Sequence, residues 1–388
     1  MKKLKFGALA MLTLSLSLFS CSEEVTESTN DTALQKSEGD IANNCEFQPY
    51  ALYFENGTSV DCANNMMHFS SWDSFDQTLE TLEDSNDAHD DNFLAIYGHL
   101  DEDDLNDTEE LIGHHPDQPL IDFENSHDFC SLRKFEEDAE NAWLDSSDQS
   151  GWSIDDWNEN EFIVDPVEQS VYNQWNEVMI CNLIYKDMEG GLLIIDTTHP
   201  DATAALTSAN NGNSLQSVLE AFGGNEETPG AADGHIFPPD SECFYRSAKS
   251  KGVTLSSTYK LRASHQMRAR TFDSGSGDVN VFKAFTRNYK KKRGKWRKRR
   301  IRSSAKIYGE LYSVDVSLNS NPNSSTPANI CSFKDDIDKE GDYKKKRRSK
   351  VKKRAQHPSN LITGTAQNKL FSEHRQRPYY ETITFEER

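Results

Sequence analysis

Apolar and polar positions follow three different rhythms along this chain. Phe6 to Phe19 is one apolar run broken only by Gly, Thr and Ser, too short for a comfortable bilayer span. Residues 22–44 then carry almost no large apolar side chain. Such a segment cannot offset the entropy of ordering, so a flexible tether is expected over 21–44. Further on, apolar residues recur at helical spacing. Ser70 or Ser71 caps a helix whose Trp72, Phe75, Leu79 and Leu82 share a face, and Ser131 caps one presenting Leu132, Phe135, Ala139 and Trp143. Each follows a similar entry, Met67-His68-Phe69 before Phe75 and Ile121-Asp122-Phe123 before Phe129, which reads as a short strand feeding a helix. Asp165-Pro166 opens a short helix, with Asp as cap and Pro in the first turn. Val178 to Tyr185 reads as one buried strand. Glu189-Gly190-Gly191 then turns the chain into a second strand at Leu192 to Ile195.

Beyond residue 239 the period becomes two. Leu261, Ala263, His265, Met267, Ala269 and Thr271 alternate with Lys260, Arg262, Ser264, Gln266, Arg268 and Arg270, so one face of a strand is apolar and the other basic. His265 falls on the inner face, where a hydrogen-bonded core role is expected. Ser274-Gly275-Ser276-Gly277 turns into a further strand over Val279 to Arg287. The expected class is α+β: an acidic α/β module at 45–222, a Gly- and Pro-containing linker at 223–238, and a basic, mainly antiparallel β domain at 239–388.

Charge sharpens that division. Residues 1–240 hold 7 Lys and Arg against 50 Asp and Glu, whereas 241–388 hold 35 against 14. The opposite signs imply attraction between the halves or separate charged partners. The basic half also repeats itself. Tyr289-Lys290-Lys291-Lys292-Arg293 recurs as Tyr343-Lys344-Lys345-Lys346-Arg347. Lys298-Arg299-Arg300 matches Lys352-Lys353-Arg354, and Ile307-Tyr308-Gly309 matches Ile362-Thr363-Gly364 after a one-residue slip. Two similar basic hairpins are expected, at 289–309 and 343–364. With Trp296 and Arg297, these Lys and Arg residues are the candidate polyanion-binding set. Three readings stay open for it: an external polyanion, neutralisation by the chain's own acidic half, or a solvated face.

The amino terminus sets the compartment. Lys2, Lys3 and Lys5 precede the apolar run, and Leu18-Phe19-Ser20-Cys21 resembles the lipobox of bacterial lipoproteins. That resemblance implies a signal peptide over 1–20 and lipidation at Cys21, with two or three acyl chains for stable anchoring. Ser22, where proteobacterial inner-membrane lipoproteins carry Asp, favours the outer membrane. Ser22-Glu23-Glu24 resembles the acidic export tag of surface lipoproteins of Bacteroidota, and Asp31-Thr32-Ala33 resembles their O-glycosylation site, which would place a glycan on Thr32. Asp165-Pro166, Asn176 to Ile180, Ile184-Tyr185-Lys186 and Gly190 resemble a pattern of lipoproteins from the same phylum over residues 66–198, and the Tyr-Lys-Lys segments are similar to theirs. The resemblance implies a compartment and a module but no reaction.

In such a compartment Cys45, Cys62, Cys130, Cys181, Cys243 and Cys331 can pair, although Cys181 also reads as a buried thiol in an apolar run. No C-x-x-C, His-Glu-x-x-His, EF-hand, P-loop or Gly-x-Ser-x-Gly pattern is present, so no metal, cofactor or catalytic residue is assigned. The acid-rich stretches Asp84–Asp91 and Glu102–Glu110 read as solvated surface. The leading expectation is a lipid-anchored outer-membrane protein facing the exterior, with a non-catalytic binding or accessory role. The alternative is a surface hydrolase acting on glycan or peptide. Lipopolysaccharide, acidic glycan or acidic protein are the expected polyanions, with nucleic acid set aside for an exported chain.

Overall fold

A computed structural model describes residues 66–146, 162–189, 191–224, 228–236, 243–244, 246–270, 279–315, 331–356, 361–366, 370–377 and 379–386. Cys21, Thr32 and the tether lie outside them. The class is α+β, with helices preceding a mainly antiparallel sheet region.

The first layer is helical. After strand β1 (His68–Phe69), helix α1 (Trp72–Tyr97) starts where the Ser71 hydroxyl accepts from the Ser74 amide, and it buries Phe75, Leu79 and Leu82 as the spacing predicts. Helices α2 (Glu102–Ile112) and α3 (Gln118–Ser126) follow. Ile121–Phe123 therefore lies in a helix, not in a strand. Helix α4 (Leu132–Asp145) is capped by Ser131 as expected. Its buried face differs, however: Arg133, Glu136 and Glu140 join Leu132, Trp143 and Leu144 inside, while Phe135 is 52% exposed. The helix rotates because its inner face docks on cations, which carboxylates serve better than phenyl rings. Asp165 caps the short helix α5 (Pro166–Gln169).

A five-stranded sheet comes next, formed by β1, β2 (Glu177–Ile180), β3 (Leu183–Met188), β4 (Gly191–Asp196) and β5 (Ala232–Ile236) in that order. Two expectations change here. Val178–Tyr185 is two strands, because the chain reverses at Cys181, whose φ is +53°. The segment expected to link the halves contains β5, which adds to β4 and covers Leu193 and Ile195 with Ala232. Helices α6 (Ala202–Asn210) and α7 (Leu215–Phe222) pack on this sheet through Ala205, Leu206 and Val218. Cys181 is buried and, like Cys130, disulfide-bonded.

The basic half forms two sheets. One contains β7 (Arg246–Thr254), β8 (Tyr259–Arg270) and β9 (Val279–Lys292), with β14 (Arg348–Gln356) and β10 (Lys295–Lys298) sharing the outer edge of β9. The other is built on β11 (Ile301–Asp315), flanked by β12 (Cys331–Glu340), β13 (Lys344–Lys346), β15 (Leu361–Ala366) and β16 (Leu370–Gln376); β6 (Cys243–Phe244) and β17 (Tyr379–Glu386) extend it. Phe282 and Ala284 of β9 meet Ala305, Ile307, Ile337 and Val351 between the sheets. All described residues belong to one compact unit, and no helix among them is long and apolar enough to cross a membrane.

The repeat does not form two like hairpins. The first copy turns back on itself through Arg293 and Gly294, both at positive φ (51° and 84°), and Lys292 faces Lys295. That is a two-residue primed turn, which favours Gly at its second position. In the second copy Arg348 stands where Gly294 stands in the first. A side chain there makes the same turn costly, and the strand crosses over instead: β13 pairs with β11, and β14 with β9.

Candidate charged interface

The side chains of β9 alternate strictly. Phe282, Ala284, Thr286 and Asn288 point between the sheets, while Lys283, Arg287 and Tyr289 point at the helices. On β14, Ser349 and Val351 point inward, and Arg348, Lys350 and Lys352 point at the helices. Register places Lys283 opposite Lys352 and Arg287 opposite Arg348. Like charges facing each other in this way destabilise a sheet unless something neutralises them. Glu83 of α1 does so for the first pair: it lies 3.3 Å from Lys283, 2.9 Å from Lys350 and 2.5 Å from Lys352. Lys283 also contacts the cap carboxylate Asp165. Asp117 takes Arg348 at 2.6 Å, and Glu140 takes Arg287 at 3.6 Å.

Arg300, fully buried, is the centre of the second contact zone. Its Nη2 donates to Asp90 at 2.6 Å and its Nε to Glu109 at 2.6 Å. Its guanidinium lies 4.5 Å from the centre of the Phe93 ring. Asn106 closes the site with two backbone bonds, accepting from Arg300 N and donating to Arg300 O. Arg347 reaches the other oxygen of Glu109 at 2.8 Å. Asp90, Asp91, Glu109 and Glu110, read from sequence as solvated acids, thus serve as counter-ions for the sheet, with Glu110 on Arg299 at 2.6 Å.

The remaining candidate residues distribute as follows. Lys290 pairs with Asp103 (2.6 Å), Lys292 with Asp107, Arg297 with Asp145 (2.8 Å) and Lys298 with Glu140 (2.9 Å). Lys344 pairs with Asp342 (2.8 Å), and Lys346 lies 3.1 Å from Asp91. Lys345 donates to the carbonyls of Gly98 and Leu100 at the end of α1. Lys291 lies 5.8 Å over Trp296, which is buried with Trp143, Leu144 and Tyr289. Arg293 is exposed at the turn and Lys353 is half-buried; the Arg354 side chain lies outside the described residues. Sequence reasoning missed Lys283, Arg287 and Glu83, although the period-two pattern places the first two on one face.

Helices and sheet leave a partly open cleft of about 250 Å³ between them, where nine Asp and Glu residues meet eight Lys and Arg residues. His115 and Glu137 are 3.2 Å apart on its wall, and Arg133 binds Glu124 and Glu137. Burial alone would raise the pKa values of Glu83, Asp90, Asp117, Glu137 and Glu140. Neighbouring groups overcome it and hold all five carboxyls below their usual range: the three lysines at Glu83, His114 at 3.9 Å with Arg300 and Lys346 at Asp90, Arg348 at Asp117, the His115 bond with Lys298 at Glu137, and Lys298 at Glu140. Among the described residues no group of three or more His, Cys, Asp or Glu side chains is arranged to hold a metal ion.

No family model matches the chain, and no curated protein matches it. Among solved structures it is weakly similar to a DUF4848 family protein from Bacteroides thetaiotaomicron, with 12% identity, coverage of 82% of this chain and 95% of that chain, and a TM-score of 0.20.

Proposed function

We propose that this is a lipid-anchored outer-membrane protein, displayed outward, with a non-catalytic binding or accessory role. The lipobox-like Leu18 to Cys21 supports anchoring through Cys21, Ser22-Glu23-Glu24 supports display, and the disulfide-bonded Cys130 and Cys181 fit an oxidising compartment. Thr32 on the tether is the proposed glycan acceptor. The observation that supports a binding or accessory role is the ion pairing of the helical layer with the sheet: Glu83, Asp90, Glu109, Asp117 and Glu140 each contact Lys or Arg side chains of the basic strands.

External partners of the stated kind, lipopolysaccharide, acidic glycan or acidic protein, would meet the part of the basic half not already spent on helix carboxylates. The test is direct. The full mature protein is offered panels of glycans and peptides, with binding and product release measured together. Saturable binding without products is the expected result; turnover of any panel member would make the hydrolase reading correct. Separately, Cys21→Ala should move the chain from membrane to soluble fractions.

A further inference from the structure

The two copies of the Tyr-Lys-Lys-Lys-Arg motif place their tyrosines in opposite settings. Tyr289 is fully buried and donates to Glu140 at 2.5 Å, whereas Tyr343 is 41% exposed. Tyr343 lies in an open groove of about 470 Å³ between the end of α1 and the β11–β13 edge. That volume falls within the roughly 300–1,000 Å³ of small-ligand sites, and the ion-paired cleft falls below it. The charge balance also differs. The cleft is matched nine to eight, while the groove is lined by Arg302, Lys344 and Lys345 against Asp91 alone.

Arg302 is the distinctive group. Its neighbour two residues back, Arg300, is buried between two carboxylates. The Arg302 guanidinium has no carboxylate within ion-pair distance among the described residues and lies 5.8 Å from the Tyr343 ring centre. Strand pairing sets it directly opposite Lys345, which is turned away onto the carbonyls of Gly98 and Leu100. The guanidinium fork is thus left on the groove wall beside an exposed ring, with Leu94 and Ala95 as the apolar side.

We infer that this groove binds an acidic saccharide of the hexuronate class. The inference rests on the reading of an exported, non-catalytic binding protein. A pyranose ring has a C–H face that packs on an aromatic side chain, and Tyr supplies such a face with a polar edge. A planar carboxylate matches the Arg fork in bidentate fashion, which a strongly hydrated Lys ammonium does not offer.

The experiment titrates the full mature protein with trigalacturonate, with its methyl ester and with sodium sulfate, by calorimetry. Trigalacturonate should bind, and the uncharged ester should bind roughly tenfold or more weakly, the value of a charge-assisted bond. Arg302→Gln and Tyr343→Ala should each lower affinity by a similar factor. Arg302→Lys, which keeps the charge and the fold, should also weaken binding, and Tyr343→Phe should retain it. Affinity should fall as salt rises. The proposal is overturned by no trigalacturonate binding, by equal affinity for acid and ester, or by sulfate binding that depends on Arg302 and ignores Tyr343. Cleaved trigalacturonate in the cell would instead contradict the non-catalytic reading while leaving the groove assignment standing.

Discussion

The sheet of β7, β8, β9 and β14 has two faces that solve burial in opposite ways. Toward β11 and β16 it presents Phe282, Ala284 and Val351 with a chain of neutral hydrogen bonds. His265 Nδ1 lies 2.9 Å from Ser372 Oγ, which lies 2.9 Å from His374 Nε2, and His374 Nδ1 lies 2.9 Å from Thr286 Oγ1. Toward the helices the same strands present Lys283, Arg287, Arg348, Lys350 and Lys352, each matched by a carboxylate. A period-two pattern of apolar and basic residues usually means one face in the core and one in water. Here the basic face is covered as well, and the acidic half of the chain covers it. The neutral face holds by exclusion of water, the charged face by ion pairing, so the two should fail under different perturbations.

The largest effect should come from Arg300→Met. It leaves Asp90 and Glu109 without their central cation inside the interface, and breaking a buried pair from one side costs about 3–5 kcal/mol. A urea midpoint lowered at unchanged slope would report it; a loss below about 1 kcal/mol would mean that the charged face is wet. Glu83→Gln comes next. It removes the charge shared by Lys283, Lys350 and Lys352 and should cost about 1.5–3 kcal/mol, measured the same way.

Acid separates the faces. Burial, with His265 beside it, pushes His374 down to about 3. The fold therefore keeps it neutral, and the unfolded chain takes up the proton first. Stability should fall as pH drops below about 6.5, by at most about 1.4 kcal/mol per pH unit for this one group. The lowered carboxylates give their stability above about 4.5 and lose it only below that. Between pH 6.5 and 4.5 the neutral face fails first. His374→Asn should flatten the slope of stability against pH in that window; His68, also lowered by burial, stays in both proteins. An unchanged slope would remove His374 from the account.

The smallest effects belong to the rim. Lys290→Ala and Arg297→Ala break pairs with exposed Asp103 and Asp145. Each should cost less than about 1 kcal/mol and vanish in high salt.

Much of this arrangement is written locally. Ser71, Ser131 and the Asp165-Pro166 pair start helices where their chemistry predicts, and the alternation through β8 and β9 is visible residue by residue. What escapes local reading has a physical cause in each case. Helix α2 buries Leu105 with Asn106 and Glu109, so a search for apolar periodicity passes over it. Phe135 satisfies that periodicity yet is exposed, because Glu136 and Glu140 need its side of the helix. The strand path of the second repeat turns on one position, Arg348 in place of Gly294. The candidate groove combines Tyr343 with Arg302, 41 positions apart in sequence, and no local pattern joins them.

Lysine reactivity toward a small amine-directed acylating reagent, resolved by mass spectrometry on the native full chain, tests most directly whether the basic runs are spent inside the molecule. Lys283, Lys298, Lys350 and Lys352 pair with Glu83, Asp165 or Glu140, while Lys295 is exposed beside the β9–β10 turn. The account predicts that Lys295 is modified rapidly and the other four only as the fold opens. Modification of all five at one rate in the folded protein would contradict it.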